Sequence, residues 1–194
     1  NQKNGAENGI SFLGDTLKFV AGPQTDYFRS SDGSVVNSSA IIFTEVDNTK
    51  PFTFTAKVKP EFTKTGTYSA GVLYAYENDI HSQKLCFEQD EYGDHRVVSV
   101  RTIGTSDDNN HQSISGPYVY MRLSSDGTSL GSYFSEDGKL WHMARLYKND
   151  FPKMLLLGLS SQSPKDNEHT CYFMDISLKQ EAVPNFRTGK LNGE

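Results

Sequence analysis

The sequence predicts an all-β protein folded as a two-sheet antiparallel sandwich. Apolar and polar residues alternate over short runs, as in residues 52–58, where every second side chain is apolar. No stretch places apolar residues at the 3.6-residue period of an amphipathic helix over ten or more positions. Instead, about twelve short apolar runs alternate with polar turns, which is typical of a β-sandwich or barrel.

The first half of the chain contains several of these runs. A short aromatic segment at 25–29 interrupts them, and Pro60 ends the last one because proline cannot donate to a strand ladder. The predicted strands lie at residues 10–13, 17–20, 41–43 and 52–58.

The central stretch, residues 68–103, organises the predicted fold. Its three runs, at 68–76, 81–88 and 97–103, are rich in the β-branched and aromatic residues that suit a half-buried sheet. We expect three neighbouring antiparallel strands. Alternation places Leu85 and Phe87 on one face and Lys84, Cys86 and Glu88 on the other. This polar face is the candidate working surface.

The second half continues the pattern after a polar segment, 104–111, that is expected to be a loop. Asp126-Gly127 indicates a hairpin turn. Residues 135–141 resemble an Asp-box hairpin, in which Ser135 and Asp137 oxygens bond turn amides while Trp141 packs beneath. The predicted strands lie at 117–123, 132–135, 140–147, 154–159 and 170–178.

These strands predict one domain over residues 10–180, with a flexible lead-in at 1–9 and a polar tail at 181–194. The core between the sheets is expected to contain six apolar side chains: Leu73, Leu85, Phe87, Val100, Met121 and Leu157. A net charge of −5 without a basic block argues against nucleic-acid binding. No apolar run approaches the ~20 residues that span a bilayer, so no transmembrane segment is expected.

Cysteine and histidine usage argues against a metal or disulfide framework. Cys86 and Cys171 are far apart and are expected to be separate buried thiols, a single bridge being the alternative. The five histidines show no i,i+2 or i,i+4 pairing, so no zinc site and no cofactor are expected. A structural calcium ion stays open, because loop oxygen ligands leave little trace in a sequence. The polar residues 1–9 favour an exported protein, periplasmic or extracellular, over a cytoplasmic one. The sequence does not indicate an oligomeric state.

Several segments occur together in a distinctive order and spacing: Phe54-Thr-Ala-Lys-Val-Lys-Pro-Glu-Phe62, Ala70-Gly-Val-Leu73, Lys84-Leu-Cys-Phe-Glu88, Val98-Ser-Val100, Ser106-Asp-Asp108, Tyr120-Met-Arg-Leu123, Ser135-Glu-Asp-Gly-Lys-Leu-Trp141 and Gly158-Leu-Ser-Ser-Gln-Ser-Pro164. Together they resemble a concanavalin A-like domain family of unknown function. That family includes the yeast regulation-of-enolase protein and is related to the C-terminal β-sandwich domain of some β-xylosidases. The resemblance covers roughly residues 17–178 and implies a two-sheet jelly roll with one concave face.

Outward-facing polar and aromatic side chains predict a ligand face for a hydroxyl-rich molecule. Aromatic rings stack on the apolar faces of sugars, and carboxylates or guanidinium groups bond their hydroxyls. The alternative is a solvated sheet face that carries surface ion pairs. The predicted ligand-binding residues are Lys84, Glu88, Arg101, Asp107, Tyr118, Tyr120 and Arg122, with Arg101 and Arg122 as partners for Glu88.

The leading functional hypothesis is therefore a non-catalytic carbohydrate-binding or glycan-associated domain with a saccharide ligand. The alternative is a small glycosidase that uses Glu88 as acid or base, with Asp107 or Asp90 as a second carboxylate. Enzymes on this fold often place acids two and five residues after the first, but position 93 is Gly, so that full pattern is absent. A protein-interaction domain is a third hypothesis, which the yeast resemblance allows.

Overall fold

The computed structural model describes all 194 residues, and its regular secondary structure is almost entirely β-strand. The only helix is a three-residue 3-10 turn at Ala6–Asn8, and no helix is long and apolar enough to cross a membrane. In chain order the strands are β1 (Gln2–Lys3), β2 (Ile10–Leu13), β3 (Thr16–Ala21), β4 (Tyr27–Arg29), β5 (Val35–Asn37), β6 (Ile41–Asp47), β7 (Phe52–Pro60), β8 (Ala70–Asn78), β9 (His81–Gln89), β10 (His95–Ile103), β11 (Thr105–Ser113), β12 (Val119–Ser125), β13 (Ser129–Ser135), β14 (His142–Lys148), β15 (Met154–Gln162) and β16 (His169–Lys179).

Two seven-stranded antiparallel sheets face each other, which confirms the predicted sandwich. The front sheet has the order β1-β6-β15-β8-β9-β10-β11, and the back sheet has the order β14-β13-β12-β7-β16-β3-β2. A separate hairpin, β4–β5, completes the fold. Strands β1, β4, β5 and β11 are additions to those that the sequence predicts.

A single apolar core fills the space between the sheets. It combines the inward positions of both sheets and includes Leu73, Leu85, Phe87, Met121 and Leu157, as predicted. Burying side chains of this kind stabilises the fold by roughly 1.5–3 kcal/mol each. The sandwich therefore rests on the period-two alternation that the sequence displays.

Val100 corrects that prediction, because it is buried on the opposite face of the front sheet. On β10 it lies directly opposite Lys84 of β9, so the two side chains are on the same face of the sheet. There Val100 belongs to a second apolar cluster with Val72, Tyr74 and Cys86. This outer face was expected to be polar and solvated. It is apolar in part because the β4–β5 hairpin lies over it and contributes Tyr27 to the cluster.

Strands β8, β9 and β10 are neighbours, as predicted, and polar turns fix their order. At the β9–β10 turn the Asp90 carboxylate accepts the backbone N–H groups of Tyr92 and Asp94, each at 2.9 Å. Asp90 also pairs with Arg96 at 2.6 Å. Gly93 has φ +85°, which a residue with a side chain rarely adopts. This turn sets the register that places Glu88 opposite Arg96.

Residues 104–111, expected to be a loop, form most of edge strand β11 instead. Gly104 turns the chain at φ +69°, and β11 then pairs with β10 so that Asp108 lies opposite Val100. A polar sequence is compatible with a strand here because edge strands expose their side chains to water. Composition therefore gave the wrong prediction for this segment.

Both termini, expected to be loose, are packed on the sandwich. In the lead-in, β1 pairs with β6 and Ala6 is buried. In the tail, Val183 and Leu191 pack with Tyr133 on the outer face of the back sheet. Apolar side chains among polar neighbours hold each segment in place.

The cysteine and Asp-box predictions are confirmed. Cys86 and Cys171 are free and buried. In the 135–141 hairpin, Asp137 accepts the backbone N–H groups of Lys139 and Leu140 at 2.8 Å, and Trp141 is buried. This hairpin is a structural element.

Candidate functional site

A cavity lies on the outer face of the front sheet, beside the β4–β5 hairpin. Its volume is about 370 Å³, within the roughly 300–1,000 Å³ of small-molecule sites. Strands β9, β10, β11 and β15 supply its floor and one wall. Eleven residues line it: Asp26, Phe28, Tyr68, Lys84, Glu88, Glu91, Val98, Val100, Asp108, Asn110 and Gln162.

Lys84 lies in the floor of this cavity with its ammonium group already engaged. Its Nζ donates to Asp26 Oδ1 at 3.0 Å and to Gln162 Oε1 at 3.3 Å. Only 4% of Lys84 is exposed. Burial by itself would lower the pKa of Lys84, but the combined effect of Asp26, Cys86 and Glu88, of which Asp26 contributes most, raises it. Lys84 is thus a charged anchor for the hairpin and the floor.

Glu88 lies four residues along β9 on the same face and has no counterion. It is half-buried, and its carboxyl group makes no hydrogen bond or salt bridge within the protein. Burial raises the pKa of Glu88 well above its usual range, and the carboxylates of Asp108 and Asp26 add to the rise against the opposing effect of Lys84. A carboxyl group in this state is available to a ligand.

Edge strand β11 contributes Asp108 and Asn110 to the exposed rim. Alternation along β11 sends both toward the cavity, with Asp108 in the same cross-strand row as Val100 and Lys84. The pKa of Asp108 is raised, first by burial and then by Asp26.

Two aromatic side chains flank the polar floor. Phe28 comes from the hairpin, and Tyr68 comes from the segment that enters β8. Tyr68 has φ +65°, an uncommon conformation for a bulky residue. Its backbone is held there, because its N–H donates to Gln89 O at 2.7 Å and its C=O accepts from Gln162 Nε2 at 3.2 Å. Strained residues of this kind concentrate at functional sites.

Arg101 does not belong to this site, although it was predicted to. It is on β10 next to Val100, so it faces the other way, toward the back sheet. Its guanidinium group lies 3.9 Å from the Tyr147 ring centroid and 2.8 Å from Asp150 Oδ2. The apolar pattern of residues 97–103 was compatible with Arg101 on either face of the sheet. The structure places Arg101 on the face opposite the cavity.

Tyr118, Tyr120 and Arg122 lie on the outer face of the back sheet, so the prediction that they share a surface with Lys84 and Glu88 is wrong. Lys57 Nζ lies 3.9 Å from the Tyr118 ring centroid and 5.4 Å from that of Tyr120. All three side chains point outward, as alternation required. The two sheets of a sandwich nevertheless have two outer faces.

Arg122 is buried and fully engaged rather than available to Glu88. Its guanidinium group stacks 3.7 Å from the Trp141 ring centroid. It donates to Thr55 at 3.0 Å, to Gly189 O at 2.7 Å, and to both Glu194 oxygens at 2.6 and 3.0 Å. Arg122 therefore secures the C-terminal tail.

Asp107 faces away from the cavity and meets Arg145 of β14 at 3.4 Å. Its neighbour Asp108 occupies the position in the cavity that was expected of Asp107. Asp90, the other second carboxylate considered for a glycosidase, is bound within the β9–β10 turn. No cluster of three or more His, Cys, Asp or Glu side chains is arranged to hold a metal ion.

Sequence reasoning missed the residues that complete the cavity. Asp26 and Phe28 fall in the aromatic segment at 25–29, whose composition marked it without showing where it folds. Gln162 falls in the 158–164 segment of the family resemblance, so a signal for it was present. No local signal marked Tyr68, because its unusual backbone angle becomes visible only in the structure.

Solved structures with the same fold come from several kinds of protein. A functionally unknown protein from Saccharomyces cerevisiae has a TM-score of 0.82 at 20% identity, covering 93% of this chain and 95% of that one. A GH43 protein from Bacillus licheniformis has a TM-score of 0.65 at 13% identity, covering 91% of this chain and 35% of that one. The carbohydrate binding module CBM66 from Bacillus subtilis has a TM-score of 0.56 at 9% identity, covering 88% and 90%.

At these identities the likenesses show the fold, and the chain spans about a third of the GH43 protein. No curated protein matches the sequence. The family model of DUF1349, described as a protein of unknown function, matches residues 8–181, which is most of the chain. The chain therefore belongs to the DUF1349 family.

Proposed function

We propose that this protein is a non-catalytic carbohydrate-binding domain that holds a sugar in the cavity of the front sheet. The observation that carries the proposal is the combination of aromatic flanks with an unpartnered carboxyl group in one cavity. The rings of Tyr68 and Phe28 border a polar floor with Glu88 and the Asn110 amide. Rings contact the apolar faces of a sugar, while carboxyl and amide groups bond its hydroxyls.

The fold is consistent with this proposal. The carbohydrate binding module from Bacillus subtilis shares the sandwich over most of both chains. Fold likeness alone is an analogy, since one fold hosts many functions. The proposal rests on the side chains of the cavity.

A glycan array on the purified protein, followed by titration calorimetry of the best ligands, tests the proposal. Removal of the ring in Tyr68→Ala should weaken binding of the best ligand by about 1–3 kcal/mol, which is the scale of an aromatic anchor. Tyr120→Ala is the matched control, because Tyr120 is a half-buried tyrosine on the other sheet. Absence of binding to every glycan, or equal losses in both variants, would contradict the proposal.

One observation favours a second candidate, a glycosidase that uses Glu88 as general acid. Burial raises the pKa of Glu88. A general acid needs such a raised pKa, because it must keep its proton near neutral pH. Asp108 is the carboxylate of this cavity that could serve as the second group. Turnover of any member of a polysaccharide panel, abolished in Glu88→Gln with binding retained, would establish this candidate in place of the first.

A further inference from the structure

The cavity carries more negative than positive charge. Four carboxyl groups line it, from Asp26, Glu88, Glu91 and Asp108, against the single ammonium group of Lys84. Lys84 is already paired with Asp26 at 3.0 Å. The other three carboxyl groups form no salt bridge within the protein. A ligand therefore meets a cavity in which carboxyl groups outnumber cations and only one carboxyl group has a cationic partner.

Glu88 is the member of this set that a ligand would contact within the cavity. It is half-buried, whereas Asp108 and Glu91 are exposed at the rim. Its carboxyl group receives no hydrogen bond from the protein, so a ligand can bond it without breaking an existing contact. A hydroxyl or ammonium donor from a ligand would supply that bond. A carboxylate or sulfate group would instead bring like charge beside it.

Lys84 does not reverse this preference. Two of its three hydrogens go to Asp26 and Gln162, which leaves at most one donor for a ligand. An anionic group that reached Lys84 would approach the carboxylates of Asp26 and Glu88 as well. Bringing like charges together on binding lowers the affinity for such a ligand.

From this arrangement we infer that the cavity takes neutral or amine-bearing sugars, rejects sugar acids and sulfated sugars, and that Glu88 is the residue that sets this selectivity. The inference rests on the proposed function and adds the ligand class to it. Glu88 acts by direct contact with the ligand, as a hydrogen-bond partner for hydroxyls and, ionised beside an ammonium group, as the counterion of an amine.

The experiment compares matched sugars that differ at one group. Glucose-, glucosamine- and glucuronate-terminated oligosaccharides, with the corresponding galactose series, are measured on the array and by calorimetry. In whichever series binds, the acid should bind at least about tenfold more weakly than its neutral parent. In Glu88→Gln this difference should shrink severalfold, and any preference for the amine should disappear. Glu7→Gln, which removes an exposed carboxylate outside the cavity, should match the wild type.

The outcomes separate the inference from the proposed function. Tighter binding of an acid than of its neutral parent, lost in Tyr68→Ala, would overturn the inference and leave the proposed function intact. Unchanged discrimination in Glu88→Gln would overturn the role of Glu88. Failure of every sugar to bind would remove the proposed function and the inference together.

Discussion

The ammonium group of Lys84 lies 3.0 Å from the Asp26 carboxylate, which comes from a position 58 residues earlier in the chain. This pair joins the β4–β5 hairpin to the floor of the cavity and uses the only cation there. Glu88, on the same strand as Lys84, is left without a counterion. Several properties of the cavity can be tested through these residues.

Breaking the pair should destabilise the fold. In Lys84→Met the Asp26 carboxylate loses its counterion in a largely buried setting, and we expect the free energy of unfolding to fall by about 3 kcal/mol in urea titrations. The matched control is Lys50→Met, because Lys50 pairs with Asp47 at 3.0 Å on the exposed surface. That change should cost less than about 1 kcal/mol. Equal losses in both variants would contradict a structural role for the buried pair.

Glu88→Gln should stabilise the protein at neutral and alkaline pH. Because its pKa is raised in the folded state, the folded protein binds more protons than the unfolded one above pH ~4.5, so wild-type stability falls as pH rises through that range. The glutamine removes this loss, and we expect a Tm about 2–6 °C higher at pH 8 and nearly unchanged at pH 4. Calorimetry at both pH values checks this. A Tm gain at pH 4 as large as that at pH 8 would show that charge is not the cause.

Buried His169 should make the protein sensitive to mild acid. Only 3% of it is exposed, its Nδ1 lies 2.9 Å from Ser161 Oγ, and burial lowers its pKa to about 4. Above pH ~6.5 the stability that neutral His169 contributes is fully present. As pH falls from ~6.5 toward 4, the free energy of unfolding should decrease by roughly 3 kcal/mol in total, because the unfolded chain binds the proton more readily. An NMR titration of the ring resonances measures the pKa directly. A midpoint near 6.5 would contradict the burial argument.

Replacing Tyr68 by glycine should abolish the aromatic contact without loss of stability. Glycine adopts the φ of +65° freely, so the strain relieved offsets the added flexibility of the unfolded chain. We expect the free energy of unfolding to stay constant or to rise by up to about 1 kcal/mol. Tyr92→Gly, at an exposed turn tyrosine without this backbone angle, should instead lower it. Destabilisation by both changes to the same extent would mean that Tyr68 carries no strain.

The back-sheet aromatic residues should be dispensable for binding in the cavity. Tyr120 lies opposite Ser135 and Lys57, on a sheet that does not contribute to the cavity. Tyr120→Ala should therefore leave the affinity for any glycan bound there within about twofold of wild type. If calorimetry shows a loss of affinity in Tyr120→Ala as large as that in Tyr68→Ala, the binding site would have to be assigned to the back sheet.

Local patterns in the sequence determined the fold class and many of the strands, and the solved structures with the same fold agree with the fold class. Alternation has a period of two, so it correctly separated Lys84 and Glu88 from Leu85 and Phe87. It failed for β11, where a polar edge strand has the composition of a loop. It failed again at Val100, since a run of apolar residues on both faces has no clear parity.

What the sequence by itself determined was the all-β sandwich, its central three strands, the buried thiols and the outward direction of Lys84, Glu88, Tyr120 and Arg122. Only the tertiary structure decided which outer face each side chain occupies. It also decided that Asp26, rather than Arg101 or Arg122, lies among the charges around Glu88. The physical reason is that alternation fixes the side of a strand within a few residues, whereas ion pairs and cavities depend on which distant segments pack together.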